Sequence, residues 1–78
     1  MARPIVFLTD YGLADEFVGV CRGVIARAAP TVAVIDLTHA IRRQDVVQGS
    51  IVLGRAAPYM PADAVFLAVV DPGVGSER

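Results

Sequence analysis

Apolar residues follow two rhythms along this chain. Residues 4–9, PIVFLT, are a short unbroken apolar run with β-branched and aromatic members, and its proline stands at the start, where a strand tolerates one. This run predicts a buried strand. DYGLA follows as a turn, and the period then changes. Phe17, Val20, Cys21, Val24, Ile25 and Ala28 fall on one helical face and predict a helix over 15–28, with Asp15 and Glu16 in a first turn whose dipole favours negative charge. Ala29 and Pro30 end it. Residues 31–37, TVAVIDL, read as a second strand and THAIRR as a loop. A second helix is predicted over 44–57, with Asp45 in its first turn and Val47, Ile51, Leu53 and Ala56 as apolar positions; Gly49 and Gly54 inside it allow close packing on a sheet. PYMPAD is a turn, and residues 64–70, AVFLAVV, are a third strand.

The order β-α-β-α-β, with continuous apolar strands between amphipathic helices, predicts an α/β fold with a parallel sheet covered on its faces. Three strands leave at least one apolar edge open, a liability for an isolated domain. Composition sharpens this point. The chain has 78 residues, of which 55% are hydrophobic and 19% charged, with a mean hydropathy of +0.58. A domain of this size buries a modest share of its surface, so these elements are expected to be covered by more protein. The single cysteine, Cys21, excludes an internal disulfide and reads as a core residue. One histidine and one cysteine make no zinc site without acidic partners. A net charge of −1 with no basic stripe argues against nucleic acid. The N-terminal apolar run is too short for a signal peptide or a membrane span, and a lone cysteine without an export signal predicts a cytoplasmic protein.

Each predicted strand ends in polar residues: Thr9 and Asp10, then Asp36, Thr38 and His39, then Asp71. In a parallel α/β sheet all strand C-termini lie on one edge, where ligands bind. The P-loop pattern is absent, and GVGSER lacks the third glycine of a dinucleotide fingerprint and follows the third strand rather than the first. Gly73 and Gly75 still suit a backbone nest for an anion. Asp10 is either a turn former or a ligand residue, since one carboxylate accepts two hydroxyl hydrogen bonds, as a ribose diol offers. Asp15 reads as a helix first-turn residue and Asp36 as structural. His39 either fixes its loop by a hydrogen bond or lines the site. Asp71 before Pro72 and Gly73 fits a β-turn, which leaves Arg78 unexplained.

Three segments, LTDYGLADEFVGVCRGVI, VIDLTHAIRRQDV and FLAVVDPGVGSER, resemble in order and spacing the S-adenosylmethionine hydroxide adenosyltransferases, relatives of the fluorinases and chlorinases. The resemblance implies a Rossmann-like N-terminal α/β domain, a smaller β-rich C-terminal domain, and a homotrimer whose active sites lie between the N-terminal domain of one subunit and the C-terminal domain of the next. Residues 1–78 would be the first portion of the S-adenosylmethionine-binding domain, and this portion alone is expected to be inactive and poorly soluble. It implies no cofactor, no metal, no nucleic acid and no membrane partner. Asp10 matches the aspartate that binds the ribose hydroxyls, and Asp15 a position near the methionine end of the substrate. Asp71 and Arg78 match two members of an Asp-Arg-His set around the attacking water, the histidine lying further on. His39 belongs to a different motif.

The implied reaction is attack of water or hydroxide on C5′ of S-adenosylmethionine, giving adenosine and L-methionine. The sulfonium leaves as a neutral thioether and needs no general acid. A dry site removes the solvation of hydroxide and sulfonium, and in-line placement of water supplies the rest. Since a carboxylate is a weak base toward water, Asp71 is expected to orient the water and Arg78 to stabilise developing hydroxide. The halogenating relatives do not carry the aspartate of Asp71, and Gln44 stands where the fluorinase has an adenine-stacking tryptophan. Two alternatives stand beside hydrolysis: a non-catalytic nucleoside-binding domain, and a halogenating enzyme, which Asp71 disfavours.

Overall fold

The structure, a computed structural model, describes residues 3–72. The elements follow the expected order: β1 Ile5–Thr9, α1 Phe17–Ala28, β2 Val34–Thr38, α2 Val46–Ala56, a short 3-10 turn Ala57–Tyr59, and β3 Val65–Val69. The sheet order is β2-β1-β3, and both pairings are parallel. β1 is therefore the central strand. Val6, Phe7 and Leu8 are each 1% exposed, which matches the unbroken apolar run that a strand buried on both faces requires. Each such side chain contributes about 1.5–3 kcal/mol on burial.

The chain leaves β1 toward β2, then returns across β1 to place β3 on the other side. Connections that diverge in this way open a crevice between β1 and β3 at their carboxyl ends. Right-handed crossovers put α1 and α2 on opposite faces, and the contacts agree: α2 lies over Leu8, and α1 reaches β2 through Arg22 and Asp36 on the face of Phe7. Pairing of β1 with β2 slips after Phe7 and Asp36, so that Leu8 sits opposite Thr38. The extra residue, Leu37, is a bulge-like irregularity that re-aims the strand just before Thr38 and His39.

Helix boundaries and faces depart from the expectation. α1 starts at Phe17, with Glu16 at the N-cap, so Asp15 and Glu16 precede the first turn instead of lying in it. α1 turns Val18 into the core with Cys21 and Ile25 half-buried, while Phe17, Val20 and Val24 are exposed. In α2 the buried position is Gly49, and Val47 and Ile51 face outward. A Cβ on Gly49 would lie 3.0 Å from Val70 Cγ2, so the bare backbone lets α2 approach the end of β3. On β3, Val65, Phe66 and Leu67 remain partly exposed. Among the described residues no helix is long and apolar enough to cross a membrane.

α2 is started by a reciprocal cap. Asp45 accepts from the Gln48 N–H at 2.8 Å, and Gln48 Oε1 accepts from the Arg42 N–H at 2.6 Å. This variant of the capping box satisfies donors at the helix start and anchors the loop ahead of it. Asp45→Ala is expected to lower stability by about 1 kcal/mol and Asp45→Asn by less, as measured by urea denaturation of the protein as its gene encodes it. Equal stability of wild type and Asp45→Ala would contradict this assignment.

Candidate functional site

The sheet brings the polar strand ends together as its topology dictates. Thr9 pairs with Val69 at the top of β1 and β3, so Asp10 and Asp71 leave adjacent strands at the same edge. The Asp10 N–H continues the ladder to the Val69 carbonyl at 3.3 Å. These two aspartates flank the crevice at the switch in strand order.

Asp10 is 3% exposed. Its Oδ2 accepts from the Gln44 N–H at 2.9 Å, whereas Oδ1 is buried without a protein partner among the described residues. A buried acceptor in that state costs roughly 1–3 kcal/mol, and a buried carboxylate persists only with compensation. A ligand hydroxyl at Oδ1 would supply it. Gln44 adopts φ 65°, the left-handed region that non-glycine residues seldom occupy. In that conformation the Gln44 N–H meets Asp10 Oδ2.

Beneath this turn runs a chain of polar contacts. The Thr9 hydroxyl is 2.7 Å from His39 Nδ1, and His39 Nε2 is 2.9 Å from Asp36 Oδ1. Asp36 Oδ2 in turn pairs with Arg22 of α1. Because a carboxylate only accepts, Nε2 carries hydrogen and donates to Asp36. In the neutral ring Nδ1 then accepts from the Thr9 hydroxyl, whose oxygen also accepts from the Tyr11 N–H at 3.1 Å. The His39 carbonyl accepts from the Gly12 N–H at 2.7 Å, and the His39 ring packs edge-on against Phe7 at 4.8 Å. Of the two roles considered for His39, the loop-fixing one is seen. Arg22 went unnoticed in the sequence; its only signal there is that it is one of two arginines on a mostly apolar helix.

Asp15 is exposed at the entry to α1, where its Oδ1 accepts from the Phe17 N–H at 3.0 Å. It sits on the loop after Asp10, beside the edge-to-face pair of Tyr11 and Phe17, whose ring centroids are 4.8 Å apart. Asp71 is half-buried just past β3. Arg78, Gly73 and Gly75 lie outside the described residues. An apolar cleft of about 200 Å³ opens between α2 and the sheet, lined by Leu8, Gly49, Leu53, Ala68 and Val70 among others. Its volume is below that of usual small-molecule sites, and it contains neither Asp10 nor Asp71.

A parallel α/β sheet with a buried, half-satisfied carboxylate at its switch point is the architecture of small-molecule-binding α/β proteins. The comparisons define the family. The chain belongs to the SAM hydroxide adenosyltransferase N-terminal domain family, whose model matches residues 5–78. It is 61% identical over 74 residues to the (R)-S-adenosyl-L-methionine hydrolase of Salinispora tropica, covering 95% of this chain and 28% of that protein. The (R)-S-adenosyl-L-methionine hydrolase of Thermus thermophilus is 51% identical over 76 residues, which are 97% of this chain and 30% of the relative. A fluorinase of Nocardia brasiliensis is more distant, 29% identical over 95% of this chain and 25% of its own length. The crystal structure of an uncharacterized conserved protein from Thermotoga maritima superposes with a TM-score of 0.85 at 47% identity, over 95% of this chain and 28% of that one. The chain thus spans under a third of the length of the relatives it matches.

If the left-handed backbone of residue 44 is what aims its N–H, Gln44→Gly should leave stability unchanged or raised. Gln44→Val should lower it by about 1–3 kcal/mol, read from denaturant midpoints. Equal midpoints for the two variants would argue against a constrained backbone there.

Proposed function

We infer that the protein carrying this chain hydrolyses S-adenosyl-L-methionine to adenosine and L-methionine. The observation that carries this reading is Asp10, with one oxygen occupied by the Gln44 N–H and the other buried and open to a ligand hydroxyl. It is supported by the hydrolase names of relatives at 61% and 51% identity.

Asp10 binds the ribose diol, one hydroxyl reaching Oδ1. Such a contact has the same strength in ground and transition states, so it contributes to affinity more than to turnover. Asp15, on the loop after Asp10, faces the methionine end of the substrate. Water gives up one proton to solvent and its oxygen attacks C5′ from the side opposite the sulfur; the C5′–S bond breaks as the C5′–O bond forms, and methionine leaves as a neutral thioether. Asp71 accepts a hydrogen bond from that water and sets its line of approach. Arg78 stabilises the hydroxide character left on that oxygen as the proton departs. The site requires no cofactor or metal for this displacement.

In this reading residues 1–78 are the start of a larger, Rossmann-like S-adenosylmethionine-binding domain. The working protein is a cytoplasmic homotrimer that completes each site with a β-rich domain of the neighbouring subunit. The partly exposed apolar residues of β3 and of both helices support further coverage, and the lone cysteine supports a reducing compartment.

The fluorinase kinship gives a second reading, halide attack at the same carbon. Asp71 disfavours it, since a carboxylate repels a halide but accepts from water. Incubating the protein as its gene encodes it with S-adenosyl-L-methionine, with and without chloride or fluoride, is expected to yield adenosine in every case. A 5′-halo nucleoside would establish the halogenating reading, and no product would leave a binding domain. Asp71→Asn is expected to lower kcat by at least about a hundredfold with little change in substrate affinity by calorimetry; unchanged turnover would remove Asp71 from the mechanism. Asp10→Ala is expected to weaken binding at least about tenfold, and undiminished affinity would remove Asp10 from the ribose site.

A further inference from the structure

We propose that His39 is a positioning residue that clamps the turn from Thr9 to Gly12 and thereby sets the affinity of the site for its nucleoside. The affinity half of this proposal rests on the reading that Asp10 holds the ribose.

His39 is 5% exposed and both ring nitrogens are engaged. The residue grips the turn twice. Its ring holds the Thr9 hydroxyl, which in turn holds the Tyr11 N–H; its carbonyl holds the Gly12 N–H. Asp10 lies between these two points of attachment. The outer end of the clamp is fixed by Asp36, which the Arg22 guanidinium anchors from α1. Since Asp36 can only accept, it holds a hydrogen on Nε2, and in the neutral imidazole this leaves Nδ1 to receive the Thr9 hydroxyl. The hydroxyl's single hydrogen is then committed to His39, and its lone pairs face Tyr11. Each member of the chain fixes the donor or acceptor role of the next. The result is a rigid link from the far face of the sheet to the backbone that carries Asp10.

This arrangement makes two substitutions at one position differ in a predictable way. An asparagine amide reaches the place of Nδ1 and can accept from Thr9, while a glutamine amide reaches the place of Nε2 and serves Asp36 instead. If the clamp acts through Thr9, His39→Asn keeps it and His39→Gln breaks it. At the other end, Thr9→Val breaks it and Thr9→Ser keeps it.

The test uses these four variants in the protein as its gene encodes it. Without ligand, amide hydrogen exchange at Tyr11 and Gly12 is expected to accelerate at least about tenfold in His39→Gln and Thr9→Val, and to stay within about threefold of wild type in His39→Asn and Thr9→Ser. With S-adenosyl-L-methionine, the first pair is expected to raise KM about tenfold while kcat changes less than about threefold, and the second pair to stay near wild type. Exchange and KM unchanged in the first pair, or His39→Asn as impaired as His39→Gln, would overturn the clamp. Should one position fail to fold, the contrast at the other decides. A wild type that neither turns over nor binds S-adenosyl-L-methionine overturns the nucleoside reading and the affinity half with it, and the exchange contrast then decides the clamp alone.

Discussion

The structure depends on the placement of β1 between its two neighbours. Three consecutive side chains of that strand are removed from water, and both of its edges are consumed by parallel ladders. The strand therefore cannot slide or rotate, because a shift by one residue would exchange Phe7 and Leu8 between faces. The Asp10 carboxylate inherits this rigidity directly. Its peptide N–H still belongs to the ladder with β3, and its side chain reaches the loop after β2. One residue thus joins the ends of all three strands, and the cost of burying its charge is carried by a frame that cannot relax around it.

Much of this frame is legible in the chain itself. PIVFLT announces a strand buried on both faces, and the change of rhythm after Asp15 announces a helix. The alternation of the two kinds of segment fixes a parallel sheet, and with it the gathering of Asp10, His39 and Asp71 on one edge. The helix faces were less legible. Val20 and Val24 are as apolar as Val18, and only the tertiary arrangement decides which of them meets the sheet. In α2 the innermost residue is a glycine, which carries no hydropathy signal, so the pattern selected Val47 and Ile51 instead. Close approach near Val70, not side-chain apolarity, sets the orientation of that helix.

The polar network shows the same limit. Asp36 and His39 are three apart, a spacing that hints at contact, but a slipped register at Leu37 lies between them and no rule of spacing anticipates it. Arg22 joins them from a different element altogether. The role of Gln44 is hidden for another reason: the group in contact with Asp10 is its peptide N–H, which every residue but proline possesses. What is particular at that position is a backbone angle, and the letter Q does not record it.

That last feature has an evolutionary consequence. A contact made by the main chain does not depend on side-chain chemistry, so the loop can exchange its residue at 44 among those that tolerate the left-handed region without dismantling the carboxylate's support. The Gln44 side chain is exposed, and it projects from a segment whose course is already determined from below. Such a position is suited to change: the side chain can vary while the main-chain anchor beneath it is kept.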